Sequence, residues 1–364
     1  MARAAKATIN LAALKQNYLL AKELAGGKQA AAIIKANAYG HGAVQVARYL
    51  SDVADAFGVA CIEEAMELKD AGIEQPVALL EGFFTADELE LVNEHKLITA
   101  VHSDWQVEAI ASTTFDQPVT VWVKFDSGMH RLGFDADGFR QALQTLKELP
   151  QVGQLVAMTH YACADEVECE YTQQQLNKFL AVCADYDLPV CTANSAAILH
   201  WPETHGKNTC TDWVRPGIML YGASPMDQNT ENSQRLQTVM TLSSALIAVR
   251  ELEPGEPIGY GRRFVTEQPT RVGVVAMGYA DGYPRHAKDG TPVAVNDKMT
   301  RIIGKVSMDM MTVDLTDLPD AQIGDPVELW GEQVDVNDVA SCADTIAYTL
   351  YTGITRRVPL VYKS

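Results

Sequence analysis

Eight short apolar runs fill the first two-thirds of this 364-residue chain. Each ends in a polar or charged residue, and an amphipathic stretch follows it. In order they read AAIIKAN, AFGVACIEE, PVALLEG, LITAVHS, PVTVWVKFDSG, GQLVAMTHYA, PVCTANSA and WVRPGIMLYG. Strand–helix alternation repeated eight times over roughly 220 residues predicts a parallel (β/α)8 barrel of the TIM type. The intervening segments carry helical spacing: Leu176, Phe179, Leu180 and Cys183 fall at i, i+3, i+4 and i+7. Phe139, Leu143 and Leu146 share a stretch that stops at Pro150. An open doubly wound sheet is the rival architecture. It calls for a Gly-x-Gly-x-x-Gly turn after its first strand, and KANAYGHG is not one.

Past Leu236 the texture changes. Strand-like runs recur at short intervals (LSSALIAVRE, TRVGVVAMGY, TPVAVN, TRIIGKVSMDMMTVDL, DPVELWG, RVPLVYK), separated by turns such as PGEP, VNDK and IGDP. The expectation is a mainly β C-terminal domain, with one helix over VNDVASCADTIAYTLYTGI. The early KATIN segment is expected to lend it a strand. The division expected is therefore residues 11–235 for the barrel, and 236–364 together with 1–10 for the β domain.

Composition narrows the function classes. A formal charge of −18 argues against a nucleic-acid binder, which needs a basic stripe. The seven cysteines are odd in number and scattered, with no C-x-x-C pair, so neither a zinc site nor a disulfide framework is expected. Free thiols suit a reducing compartment. With no signal-peptide pattern and no apolar run of membrane-spanning length, the expected location is the cytoplasm.

Barrel enzymes set their chemistry at the carboxyl ends of the strands. That rule gathers Lys35, Glu63, Glu81, His102, Lys124, His160, Asn194 with Ser195, and Arg215. Most strand-end lysines are simply solvated. Lys35 follows an apolar run and precedes a glycine-rich turn, and a lysine desolvated by an apolar wall is a nucleophile able to form a Schiff base. Ser195 after the seventh run, with Gly217 and Ile218 after the eighth, would suit a phosphate, although PGI alone reads equally as a plain turn. A Schiff-base lysine facing a phosphate cradle points to pyridoxal 5′-phosphate.

With these residues in place, AAIIKANAYGHG resembles the cofactor-binding signature of the alanine racemases. VKFDSGMHRLGF, THYACADE, NSAAILHWP, DWVRPGIMLYG, GYGRRF, MGYADGYPR, GKVSMDMMTVDL and RVPLVY resemble further family segments, in family order and over nearly the whole chain. The resemblance implies a head-to-tail homodimer that interconverts L- and D-alanine, for peptidoglycan or for alanine catabolism. It implies that Lys35 carries the cofactor and acts as base on one substrate face, while Tyr260 from the partner subunit acts on the other. Arg215 would face the pyridine nitrogen with His160 in support, and Tyr39, Ser195, Gly217, Ile218 and Tyr348 would hold the phosphate. Arg131, Met308 and Asp309 would bind the substrate carboxylate. Asp165, Tyr279 and Arg285 would form a gate, with Tyr279 and Tyr348 narrowing it. Lys124 beside Arg131 is either carbamylated by CO2, as the resemblance implies, or paired with Asp126 or another acid. No metal is implied. Lys305, Ser307 and Glu166 depart from the commoner family residues and concern entrance and substrate breadth. The competing readings are a broad-specificity racemase, a pyridoxal-phosphate decarboxylase and a cofactor carrier. Arg215, where a decarboxylase wants an acid, and the GYGRRF segment weigh against the last two.

Overall fold

The computed structural model describes residues 3–205 and 211–364; Cys210 lies outside the described residues. The first strand, β1 (Lys6–Asn10), leads into a helix, Leu11–Leu24, whose first turn is capped by the Asn10 side chain accepting from the Ala13 amide. Eight parallel strands follow: β2 (Gln29–Ile33), β3 (Ala56–Val59), β4 (Val77–Leu79), β5 (Ile98–Val101), β6 (Val119–Lys124), β7 (Val152–Met158), β8 (Val190–Asn194) and β9 (Thr211–Arg215). They close into a barrel, with Gln29 and Ala30 of β2 in register with Trp213 and Val214 of β9. The barrel strands are near-continuous apolar runs because both faces are covered, one by the barrel interior and the other by helices. Small residues allow the closure: a Cβ on Gly58 would lie 2.5 Å from Ile33 Cδ1.

The amphipathic segments fold as outer helices. Tyr171–Cys183 buries Leu176, Phe179 and Val182, and Ala136–Glu148 buries Phe139, Leu143 and Leu146.

The C-terminal part is a sheet built on the long strand β10 (Met240–Leu252). A hairpin, β11 (Pro257–Ile258) and β12 (Phe264–Val265), stands apart and carries Tyr260 in its turn. Then come β13 (Thr270–Val275), β14 (Pro292–Val295), β15 (Lys298–Arg301), β16 (Met311–Asp314), β17 (Pro326–Trp330) and β18 (Leu360–Lys363). The sheet order is β15-β14-β17-β10-β1-β18, with β13 pairing β10 and β16. β1 lies antiparallel to β10 and parallel to β18.

Two segments differ from the sequence expectation. TRIIGKVSMDMMTVDL is not one strand: β15 and β16 are separated by residues 302–310, with Gly304 at φ 78°. The single helix expected over 336–354 is two, Val336–Cys342 and Ala347–Thr352, because Asp344 adopts φ 48° and breaks the helical path.

Candidate active site

The segment after β2 has an unusual backbone. Ala36, Asn37, Ala38 and Tyr39 all lie in the left-handed region, with φ between 50° and 54°. Each such residue costs about 1–2 kcal/mol in an L-chain, so the turn persists only because its surroundings fix it. The Ala38 amide donates to Ile34 O at 2.7 Å and the Gly42 amide to Asn37 O at 3.0 Å. Asn37 Oδ1 accepts from the Ala43 amide at 2.8 Å, and Glu64 accepts from the Ala36 and Ala60 amides. Buried His41 uses Nδ1 to donate to the carbonyls of Ala38 and Tyr39. Burial pushes its imidazole down to about 4, so it stays neutral. The glycines answer steric demands. A Cβ on Gly40 would sit 2.3 Å from Tyr351 O, and one on Gly42 would sit 2.0 Å from the Tyr362 hydroxyl. The turn is thus clamped from the C-terminal part of the chain, and it places Lys35 and Tyr39 at the barrel mouth.

Lys35 Nζ lies 4.0 Å from Glu81 Oε1, and the Lys35 side chain is 36% exposed. That carboxylate follows β4, so the apolar wall expected from the sequence is not all that surrounds Lys35. His102 Nε2 meets the Glu81 carbonyl at 3.1 Å. Lys124, at the end of β6, is 6% exposed. Burial, followed by Arg215 and Arg131, pushes its ammonium down to about 8 against the opposing pull of Glu81 and Asp126. Asp126 itself accepts from the Gly128 and His130 amides and from the His130 ring. Arg131 is exposed beside this group.

Arg215 is buried, and its guanidinium donates to the carbonyls of Cys191, Thr159 and Thr192, at 3.0, 2.6 and 3.1 Å. Among the described residues it has no carboxylate partner. Its Nη2 also reaches His160 Nδ1 at 3.4 Å. Burial, then Arg215, Lys124, Arg131 and Lys35, hold His160 well below its ordinary value, so the ring is neutral and Nδ1 accepts.

Across the mouth, Ser195 Oγ accepts from the amides of Gly217 at 2.8 Å and Met219 at 3.3 Å. Its acceptor capacity is spent on those amides, which leaves its own proton free to donate. A Cβ on Gly217 would have Tyr39 Oη at 3.1 Å and Ser195 Oγ at 3.7 Å. The Tyr39 ring lies 4.8 Å from Tyr221 and 5.8 Å from Tyr348. Burial pushes the Tyr39 phenol up to about 12 and raises Tyr348, so both keep their protons as donors. Ile218 is buried beneath.

Asp165 lies in the loop between β7 and helix Tyr171–Cys183, and the remaining candidates lie in the C-terminal part, on the β11–β12 hairpin and in loops of the sheet. Tyr260 is 68% exposed and Met308 52% exposed. The 278–283 turn packs on the 307–310 loop, with the Tyr279 amide donating to Ser307 O and the Ala280 amide to Met308 O. Gly278 is fixed there because a Cβ would sit 2.3 Å from Met308 O. Asp309 pairs with Arg357 at 2.6 Å, and Arg285 lies over the Tyr279 ring at 5.5 Å. Beneath, fully buried Asp281 is paired by Arg3 and Arg357, which hold its carboxyl below the usual range against the cost of burial. Among the described residues, no hydrogen bond or ion pair joins Tyr260, Met308 or Asp309 to the barrel-mouth group.

The strand-end rule therefore gathers Lys35, Glu81, His102, Lys124, His160, Ser195 and Arg215, finds Asn194 capping helix Ser195–His200 through the Ala197 amide, and fails for Glu63. That residue lies in the first turn of helix Ile62–Asp70 and hydrogen-bonds Cys61. Sequence reasoning missed Glu64, Gln175 and the Arg3–Asp281–Arg357 cluster. Gln175 is buried and bonds Ser127 Oγ, His160 O and the Ala162 amide. A Gln inside a helix gives no signal for that. Among the described residues no group of three or more His, Cys, Asp or Glu could hold a metal ion.

A primary amine at one side, convergent hydroxyl and amide donors at the other, and a fixed guanidinium with a neutral imidazole between them fit pyridoxal 5′-phosphate. The donor set suits a phosphate dianion, and the amine suits an aldehyde carbon. Fold and site together define a barrel enzyme that uses this cofactor on amino acids.

Comparison with known proteins narrows that class. Residues 9–225 match the alanine racemase N-terminal domain, and residues 239–362 match the C-terminal domain. An alanine racemase of Pseudomonas fluorescens is 52% identical over 360 residues, 99% of each chain. The biosynthetic alanine racemase of Pseudomonas aeruginosa superposes with a TM-score of 0.95 at 45% identity, covering 100% of both chains. The Bartonella henselae enzyme, solved with covalently bound pyridoxal phosphate, gives 0.86 at 30% identity over 99% of each. The chain belongs to the alanine racemase family. It is a pyridoxal-phosphate-dependent isomerase that interconverts L-alanine and D-alanine.

Proposed function

We propose that each working site is built from two copies of this chain, with Lys35 of one and Tyr260 of the partner subunit on opposite faces of the alanine α-carbon. Inversion requires a proton taken from one face and a proton returned to the other. Pyridoxal 5′-phosphate, when bound, draws electrons from the α-carbon and makes its proton removable. Lys35 holds the cofactor and serves one face, while Tyr260 of the partner subunit serves the other. Tyr39, Ser195, Gly217, Ile218 and Tyr348 hold the phosphate through O–H and N–H donors. Arg215 keeps its own proton and leaves the ring nitrogen unprotonated, which restrains side reactions, and His160 supports it. Arg131, oriented by a carbamate on Lys124, receives the substrate carboxylate with the Met308 amide and Asp309 from the partner subunit. Asp165, Tyr279, Arg285 and Tyr348 line the entrance. Residues 11–235 thus carry the cofactor, and residues 236–364 with 1–10 complete the neighbour's site. The proposed setting is the cytoplasm, supported by thiols at Cys61, Cys163, Cys169, Cys191 and Cys342 that form no disulfide.

The observation that carries this reading is the contrast between Lys35, set in a clamped turn at the mouth, and Tyr260, exposed on a separate hairpin. Mixing Lys35→Ala chains with Tyr260→Phe chains tests it. A mixed dimer holds one intact composite site, so random pairing restores about a quarter of wild-type racemisation. If both bases came from one chain, every combination would stay inactive, and the shared site would be refuted.

A further inference from the structure

The loop between β7 and helix Tyr171–Cys183 carries a feature that racemisation does not use. Cys163 and Cys169 bring their sulfurs to 3.3 Å. Two successive turns cause this approach: the Glu166 amide donates to Cys163 O and the Cys169 amide to Glu166 O, each at 3.1 Å. The loop is pinned on several sides. The Ala162 amide donates to Gln175 Oε1, Trp201 Nε1 to Ala164 O, the Asp227 amide to Asp165 O, and the Val167 amide to Asp227 Oδ1. Both cysteines are partly exposed, whereas Cys191 is sealed beneath Arg215. A disulfide needs its sulfurs at about 2.05 Å, so closure asks for a small side-chain shift on a backbone already folded for it.

We propose that Cys163 and Cys169 form a reversible disulfide site at the barrel mouth, closed by a low-molecular-weight disulfide and reopened by thiols. The Cys169 thiolate attacks the small disulfide, and one small thiol leaves. Cys163 then attacks the Cys169 sulfur of the mixed disulfide, and the second small thiol leaves. The two cysteine protons end on the two released thiols, so the exchange balances. Burial, then the neighbouring Cys169 and the nearby acids Glu166 and Asp165, raise Cys163, so it gives up its proton only in the resolving step, to the departing small thiolate. The same acids, with Glu168 and Glu170, favour a cationic disulfide over an anionic one. The closed ring contains Asp165, whose charge acts on the Tyr348 phenol. Its kinetic consequence rests on the reading of Asp165 as part of the entrance: a ring that fixes Asp165 hinders admission of alanine.

The test treats the holoenzyme with cystamine, alkylates it and digests it with trypsin. Residues 148–178 leave as one peptide holding only these two cysteines. The expected peptide is two hydrogens lighter than the unalkylated thiol form and carries no alkyl group, and dithiothreitol reverses both changes. KM for alanine is expected to rise about twofold or more with kcat held, and Cys163→Ser abolishes the shift. A lasting cysteamine adduct on one sulfur, or alkylation of both, overturns the disulfide site. A bridge that forms without moving KM keeps the site and overturns the entrance role of Asp165.

Discussion

The barrel mouth and the Tyr260 face of the β sheet manage charge and exposure in opposite ways. At the mouth, Arg215 and Lys124 are buried and His160 is half-buried, and backbone carbonyls and neighbouring charges fix their states. In the C-terminal part, Tyr260 on its hairpin and Met308 and Met310 in their loop stand exposed, and the firm electrostatics lie at buried Asp281, paired by Arg3 and Arg357. The mouth is organised within one chain. The sheet face presents reactive and apolar groups on a rigid base, which is the form of a surface completed by association. If the proposed two-chain site holds, activity is tied to assembly.

The largest expected effect removes the mouth's amine. Lys35→Ala should abolish interconversion, with a loss beyond about 10⁴-fold followed by chiral chromatography of both enantiomers. Borohydride reduction should then fix no cofactor to the protein, and cofactor fixed at another lysine would break the assignment. Next is the opposite face: Tyr260→Phe should slow α-proton removal from L-alanine by about 10²–10³-fold. Cofactor binding, followed by absorbance, should stay unchanged, because Tyr260 belongs to the other region. Equal loss of cofactor would erase the comparison.

Acid should separate the regions in stability. An unfolded histidine titrates near 6.5, while folded His41 is pushed down to about 4. On acidification the unfolded chain binds the proton first, so this contribution is full above about pH 6.5 and lost as pH falls to about 4. The expected loss from His41 is about 3 kcal/mol. Urea titrations across that window should steepen the decline in wild type and flatten it in His41→Gln. Asp281 is depressed below 3.8, so its contribution persists through this window and is lost only on further acidification. The smallest effect concerns Lys124. With its ammonium pushed down to about 8, the neutral amine that reacts with CO2 grows as pH rises through that value. ¹³C-labelled bicarbonate should give a carbamate resonance that grows over this range and is absent in Lys124→Met. That variant should raise KM for alanine about three- to tenfold through a less well held Arg131.

The architecture and most of the mouth were legible in the sequence because both follow from repetition. Eight apolar runs fix eight strands, and barrel topology sends their ends to one face. What was not legible depends on contacts between distant segments. Nothing in KANAYGHG announces four left-handed residues, since alanine and tyrosine disfavour that region. The turn exists because Glu64, Tyr351 and Tyr362 meet it in space. Glu63 and Glu64 look interchangeable, yet helix phase sends only Glu64 to the amides of Ala36 and Ala60. The break at Asp344 and the 302–310 loop likewise interrupt patterns that are locally continuous. The roles of Tyr260, Met308 and Asp309 came from resemblance alone, because an exposed tyrosine in a hairpin turn carries no local signature of chemistry.

The placement of β1 has a consequence for how the molecule is made. Lys6 through Ile9 pair with residues 240–243, and Ala7 through Asn10 with residues 360–363. A ribosome makes β1 early, yet its partner β18 follows only about 350 residues later. At about 5–20 residues per second, the opening segment waits tens of seconds with an unpaired edge while the barrel takes shape behind it. Losing β18 would therefore leave the first strand open along one side, so damage about 350 residues along the chain would be felt at β1.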